Sequence, residues 1–289
     1  MKSISLPQKI LHFSIVKIIL GIICCAGIVT VAQIGMSKLL SPTSLAKDEK
    51  MLLIGIIVAI LSIGTYIFLF RYYEKRNITE LSTKGLGKNL SIGILLGVLL
   101  QSLTILVIYL NKGFTVISLN SILFILPSLT MAFTAAIFEE ILFRGIIFRI
   151  TEEKLGSYWA LLISAIIFGA MHLANPHSTF LAALGLAIQA GLLLGAAYIF
   201  SKNLWFPIAI HFAWNFTQSG IFGVSTSGSN MGKSLLTTKI EGATWFTGGQ
   251  FGPEGSIQAT LFCLVATIVL MILSYKQHKI IKPFKRLQK

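Results

Sequence analysis

Charge is what this sequence of 289 residues has least of: 12% are Asp, Glu, Lys or Arg, against about 25% in an average soluble chain. With 55% hydrophobic residues and a mean hydropathy of +0.82, that deficit excludes a soluble globular enzyme and a disordered protein. Cysteine is scarce as well. Cys24, Cys25 and Cys263 all lie within apolar stretches, which excludes a disulfide scaffold and makes them small buried hydrophobes. The chain also lacks an HExxH zinc motif, an inverted internal repeat, a low-complexity tract, and a Ser or Cys nucleophile with a base beside it.

What it has instead is long apolar runs. About 18 apolar residues suffice to cross the ~30 Å hydrocarbon layer as a helix, and windows of roughly that length fall near 13–35, 51–70, 92–111, 116–138, 158–173, 179–200, 205–222 and 257–274. The expected fold class is therefore all-α, a polytopic membrane helix bundle of about eight transmembrane helices. The first window is too long for a signal-peptide core and has no clear cleavage site, so it is expected to be retained. Four regions follow: N-terminal helices over 1–113, a helical core over 114–222, a Gly/Ser-rich loop over 223–256, and a last helix with a basic tail over 257–289. That loop holds Trp245, Phe246 and Phe251 but offers no recognisable chemistry. Two small-residue pairs, Gly93/Gly97 and Gly191/Gly195, place a smooth stripe on one helix face where a neighbouring backbone can approach.

The net charge of +14 would suggest nucleic acid in a soluble chain. Here the cations fall between apolar windows, where they orient helices and meet anionic lipid heads, so the expected partner is the bilayer and not a nucleic acid. With both termini cytoplasmic, sixteen cations lie inside and six outside; the inner set includes Lys2, Lys9 and the C-terminal Lys276, Lys279, Lys282, Lys285, Arg286 and Lys289. That asymmetry predicts a multi-pass cell-membrane protein with both ends inside, and the Ile- and Lys-rich composition points to a bacterial source.

Ionisable groups within spans cost roughly 2.5–3.5 kcal/mol each on insertion scales, so they need a reason. Here they concentrate between Phe138 and Asn215. Glu140 and Arg144 stand one helical turn apart and share a face, where an acid–base pair can form. Glu139 is rotated about 100° from Glu140, so it need not share that partner; a carboxylate in such surroundings is available as a base or acid near neutrality. His172 and His211 can exchange protons near pH 7, and Asn215, one turn after His211, can orient it or donate a hydrogen bond. Counted from the reversal between Glu153 and Ser157, Glu139 and His172 lie at similar depth. His211, ~9 Å from the start of its window, matches that depth only if its helix starts inside the membrane.

The patterns Glu139-Glu140-x-x-x-Arg144, Phe168-x-x-x-His172 and His211-x-x-x-Asn215, in that order on separate helices, resemble those of the CPBP family, the CAAX protease and bacteriocin-processing (Abi) intramembrane endopeptidases related to Ras-converting CAAX enzymes. The resemblance covers roughly residues 114–222. It implies an intramembrane glutamic endopeptidase acting on a peptide or membrane-protein substrate, in which Glu139 with His172 activates water, His211 and Asn215 face the oxyanion, and Glu140, Arg144 and Phe168 support the site. It implies no cofactor, although two histidines and a carboxylate can also hold Zn²⁺ with an open position. A zinc-dependent protease, a transport protein and a non-catalytic immunity or scaffold protein are the alternatives, and the oligomeric state is not legible.

Overall fold

A computed structural model describes residues 13–283; Lys2, Lys9, Lys285, Arg286 and Lys289 of the charge count lie outside them. Eight helices follow in order: α1 (Ser14–Leu40), α2 (Lys47–Tyr73), α3 (Leu86–Leu110), α4 (122–155), α5 (157–174), α6 (180–201), α7 (205–221) and α8 (Ile257–Lys276). Among the described residues six apolar helical stretches are long enough to cross a membrane, with 122–174 counted once. Gly156, at φ +80°, divides that stretch into antiparallel α4 and α5, because only glycine enters this backbone region without strain. The chain is a polytopic helical membrane protein.

One apolar window is not helical throughout. Residues Phe114–Leu119 form β1, paired antiparallel with β2 (Leu236–Ile240), and the helix begins at Ile122. Thr115, Val116 and Ile117 supply β-branched side chains that favour a strand, and Asn120 ends it by donating to the Ser234 carbonyl at 3.0 Å. The helical-bundle expectation holds, with one small two-stranded sheet added among the described residues.

Contacts fix which helix ends lie together. Lys233 pairs with Asp48 at 2.7 Å, so the 223–256 segment lies at the end holding the α1–α2 connection. At the opposite end Glu74 pairs with Lys17, Arg76 and Arg149, Glu80 takes hydrogen bonds from Tyr66 and Arg76, and Lys202 reaches Glu152. Burial raises both carboxyls, but Arg149, Lys17 and Arg76 outweigh it at Glu74, and the hydrogen bonds from Arg76 and Tyr66 outweigh it at Glu80, so both are held below the usual carboxylate range.

The centre is built on α4, where buried Ile141, Phe143, Ile146 and Phe148 pack with Phe168, Tyr198 and Leu204. Large apolar side chains left exposed on α1, α2 and α8, such as Ile23, Ile60 and Val265, form the lipid-facing surface. Both small-residue pairs mark close approaches. A Cβ on Gly97 would stand 2.5 Å from the Ile210 carbonyl oxygen, and one on Gly191 would stand 2.6 Å from Ala165 Cα. The first contact presses α7 against α3; the second presses α6 against α5.

Candidate active site

Glu139 and Glu140 end the regular part of α4, and the next eight residues, Ile141–Phe148, wind as a π-helix. Two further π segments occur, Ala187–Leu192 in α6 and Thr217–Ile221 at the end of α7. Such turns leave carbonyls off the regular helical ladder and cluster at functional sites. Here a side chain takes them up: Arg144 Nη2 donates to the Ala190 and Gly191 carbonyls at 2.6 and 3.2 Å. Arg144 is fully buried, lies over the Phe168 ring, and pairs with Glu140 at 2.8 Å.

Glu140 does more than neutralise Arg144. Its Oε1 also meets His211 Nδ1 at 3.0 Å, and since a carboxylate accepts, that nitrogen carries the proton. The ring's other face turns to Glu139, with Nε2 3.9 Å from Oε2. His211 therefore reaches the depth of the glutamates. Its helix can do so because α7 starts below the helix ends around it: Leu204 N donates to the Glu80 carbonyl at 2.7 Å, and Trp205 Nε1 to that of Leu81. Buried Glu80 and half-buried Leu81 serve as a plinth, and α7 is short at 12 α-helical and 5 π-helical residues.

His172 ends the α-helical part of α5 and opens its last 3-10 turn, with its ring stacked on Phe168 at 4.5 Å. Its Nδ1 lies 2.7 Å from the Phe168 carbonyl. A carbonyl can only accept, so this bond places the proton on Nδ1 and leaves the Nε2 lone pair free. Glu139, Phe168, His172, His211 and Asn215 all line one cavity of ≈ 230 Å³. Glu140 and Arg144 stand behind it. Among the described residues no three His, Cys, Asp or Glu side chains converge as a metal site, while the Nδ1 bonds of His172 and His211 leave each Nε2 directed elsewhere.

The cavity also takes in residues that no motif marks. Asn175, Gln189, Trp214, Ser227 and Glu254 line it, so the 223–256 segment, expected to be without chemistry, forms part of its wall. Glu254 is 1% exposed. Burial pushes its carboxyl up to about 7, against the donors Ser227 and Gln218. Gln189 and Gln218 carried a usable signal, each a lone amide in an apolar helix, a position that needs a partner. Glu254 carried none, because a Gly-flanked acid in a polar loop reads as solvated.

Residues 120–217 match the family described as type II CAAX prenyl endopeptidase Rce1-like. The chain is also 37% identical over 79 residues to a Bacillus subtilis (strain 168) protein named "Putative membrane peptidase YdiL", a match covering 27% of this chain and 30% of that protein. No solved structure matches. The helices that bring Glu139, His172, His211 and Asn215 to one cavity thus lie within residues 120–217, the part of the chain that is similar to the Rce1-like type II CAAX prenyl endopeptidase family.

Proposed function

We propose that this chain is an intramembrane endopeptidase that hydrolyses a peptide bond with water activated by Glu139 and His172. The convergence of Glu139, His172, His211 and Asn215 on one cavity carries this reading. Glu139, whose side chain is 28% exposed, is the acid of the pair that a water in the cavity can reach, and it takes the water's proton as the oxygen attacks the carbonyl carbon. His172, whose Nε2 lone pair is free, relays that proton from Glu139 to the departing amine nitrogen as the C–N bond breaks. General acid–base catalysis of this kind is worth roughly 10²–10⁴ in rate.

The negative charge that develops on the carbonyl oxygen needs donors already in place. The Asn215 amide has no other side-chain role to fill, and His211 in its protonated form offers Nε2–H while Glu140 holds Nδ1–H. Glu140, anchored in turn by Arg144, fixes the imidazole's orientation. Substrates on this reading are peptides or membrane proteins of a bacterial cell, bacteriocin precursors among them, and the 114–222 helices are the catalytic core.

Proteoliposomes carrying the wild type or Glu139→Gln, mixed with solubilised bacterial membrane proteins, test the proposal. New N-termini are expected in or beside apolar segments with the wild type alone. Identical termini from both proteins would refute it.

A further inference from the structure

Two separate supports carry Glu140 and His211, and one side chain outside the cavity joins them. The first support is the π-helix of α4, which carries Arg144 and, through it, holds Glu140. Its Gly145 carbonyl accepts from Arg149 Nε at 3.0 Å and lies 3.0 Å from the Tyr66 hydroxyl. The Tyr66 ring packs on the same turn, where a Cβ on Gly145 would stand 2.9 Å from it. The second support is the connection between α2 and α3, whose Glu80 carbonyl accepts from Leu204 N at 2.7 Å. From Leu204 the chain rises about 10 Å along α7 to His211.

Both supports converge on the Glu80 carboxylate, which is 4% exposed although it lies in a connection. Its Oε1 takes the Tyr66 hydroxyl and, at 2.6 Å, Arg76 Nη2, while its Oε2 takes Arg76 Nη1 at 3.0 Å. The shorter path from the π-helix therefore runs from Gly145 through Tyr66 to Glu80. A longer one runs from Gly145 through Arg149, Glu74 and Arg76, with both arginines 2.9 Å from Glu74 Oε2, and it ends on the same carboxylate. The ring closes at the active site, where Arg144 Nη1 meets Glu140 at 2.8 Å and Glu140 meets His211 Nδ1 at 3.0 Å. In a closed ring neither support shifts without breaking a contact, and a misplacement of about 1 Å in a catalytic arrangement can cost about 10² in rate. Neither Tyr66 nor Glu80 lines the cavity or falls within the 120–217 match.

We infer that Glu80 is a positioning residue, acting through Tyr66 on one side and through its own backbone carbonyl on the other to hold His211 against Glu140. The inference takes the catalytic meaning of that contact from the peptidase reading, but its test does not need cleavage. With the whole chain in detergent and the heavy nitrogen isotope placed at histidine, the Nδ1–H proton signal of His211 reports the bond to Glu140, and His211→Gln identifies it. His172, whose Nδ1 is held by the Phe168 carbonyl within α5, supplies the internal control in the same spectrum.

In Glu80→Gln the amide must set an N–H against a donor, because Tyr66 and Arg76 between them address both oxygens; Arg76 keeps its pair with Glu74. The His211 signal is expected to shift or broaden beyond detection while that of His172 stays. Tyr66→Phe, which cuts the shorter path alone, should move it the same way by less, and Tyr72→Phe, at an exposed position of the same helix, should move neither. In both Glu80→Gln and Tyr66→Phe, kcat should fall by about 10–10² with KM little changed. A His211 signal unmoved in Glu80→Gln, both histidine signals moving together, an unchanged kcat, or no His211 signal in the wild type would overturn the inference; Tyr66→Phe decides it should Glu80→Gln not fold. Cleavage by the wild type is scored separately. A displaced His211 signal without Glu139-dependent cleavage removes the peptidase reading and leaves the positioning role standing.

Discussion

The two adjacent glutamates differ by one rotation along α4, and that rotation separates their roles. Glu139 is partly exposed to the cavity, while Glu140 is fully buried between Arg144 and His211. Glu139→Gln keeps the shape and removes a base, so thermal stability in detergent should hold while turnover falls by roughly 10²–10⁴. Glu140→Gln strands the Arg144 cation, and breaking such a buried pair costs about 3–5 kcal/mol; its melting temperature should drop together with its activity. The reverse pattern would exchange the two roles. Asn215 acts, on the proposed mechanism, only when charge builds on the substrate oxygen. Asn215→Ala should therefore lower kcat by about 10²–10³ with KM little changed, and unchanged steady-state kinetics would make the amide a packing residue.

At the scale of elements, helix spacing decides whether these side chains meet. The face of α7 behind His211 lies against α3 at Gly93 and Gly97, where added Cβ atoms would approach Ala209 and Ala213 Cβ at 2.6 and 2.8 Å. The Ile210 backbone leaves no room to yield. Gly97→Ala should push α7 outward, destabilise the protein by about 1–3 kcal/mol and reduce turnover by moving His211 off Glu140. At Gly64 an added methyl would meet nothing within 4 Å, so Gly64→Ala in α2 is the matched control and should be neutral in both melting and kinetic measurements. Equal behaviour of the two variants would show that the close approach does not set the site.

For the whole molecule, the ion network around Glu74 joins α1, α2 and α4 at the end opposite the cavity wall. Glu74 is held below its ordinary range because Arg149, Lys17 and Arg76 together outweigh the effect of burial. A depressed folded-state value gives stability that is complete above the unfolded carboxylate value, about 4.3, and is lost as pH falls through the folded one. Melting temperature should therefore be steady near neutrality and drop on acidification; Glu74→Gln should start lower and lose less. An equal acid-induced drop in both proteins would assign that drop to other carboxylates. Orientation follows from the cation asymmetry: a Cys at Asn230 should react with an impermeant reagent on intact cells and one at Lys84 should not, and the opposite labelling would invert the topology.

Much of this molecule is legible in its sequence because a bilayer admits so few solutions. Backbone polar groups must be satisfied within each spanning segment, so apolar length locates the eight helices, although α4 begins after the strand and runs well past its 116–138 window; the reversal falls at Gly156, between Glu153 and Ser157 as expected, and costly intramembrane charges announce Glu139, Arg144 and His172. The motifs named the residues that now line one cavity or stand behind it. Tertiary structure decided the rest. The depth of His211 depends on where α7 begins, which is set by hydrogen bonds to Glu80 and Leu81 more than a hundred residues earlier. That Glu140 orients an imidazole, that β1 replaces the start of a helix, and that Glu254 leaves solvent to brace the cavity all rest on partners distant in the chain. Hydropathy and helical period report which side chains share a face; they carry no record of what that face meets.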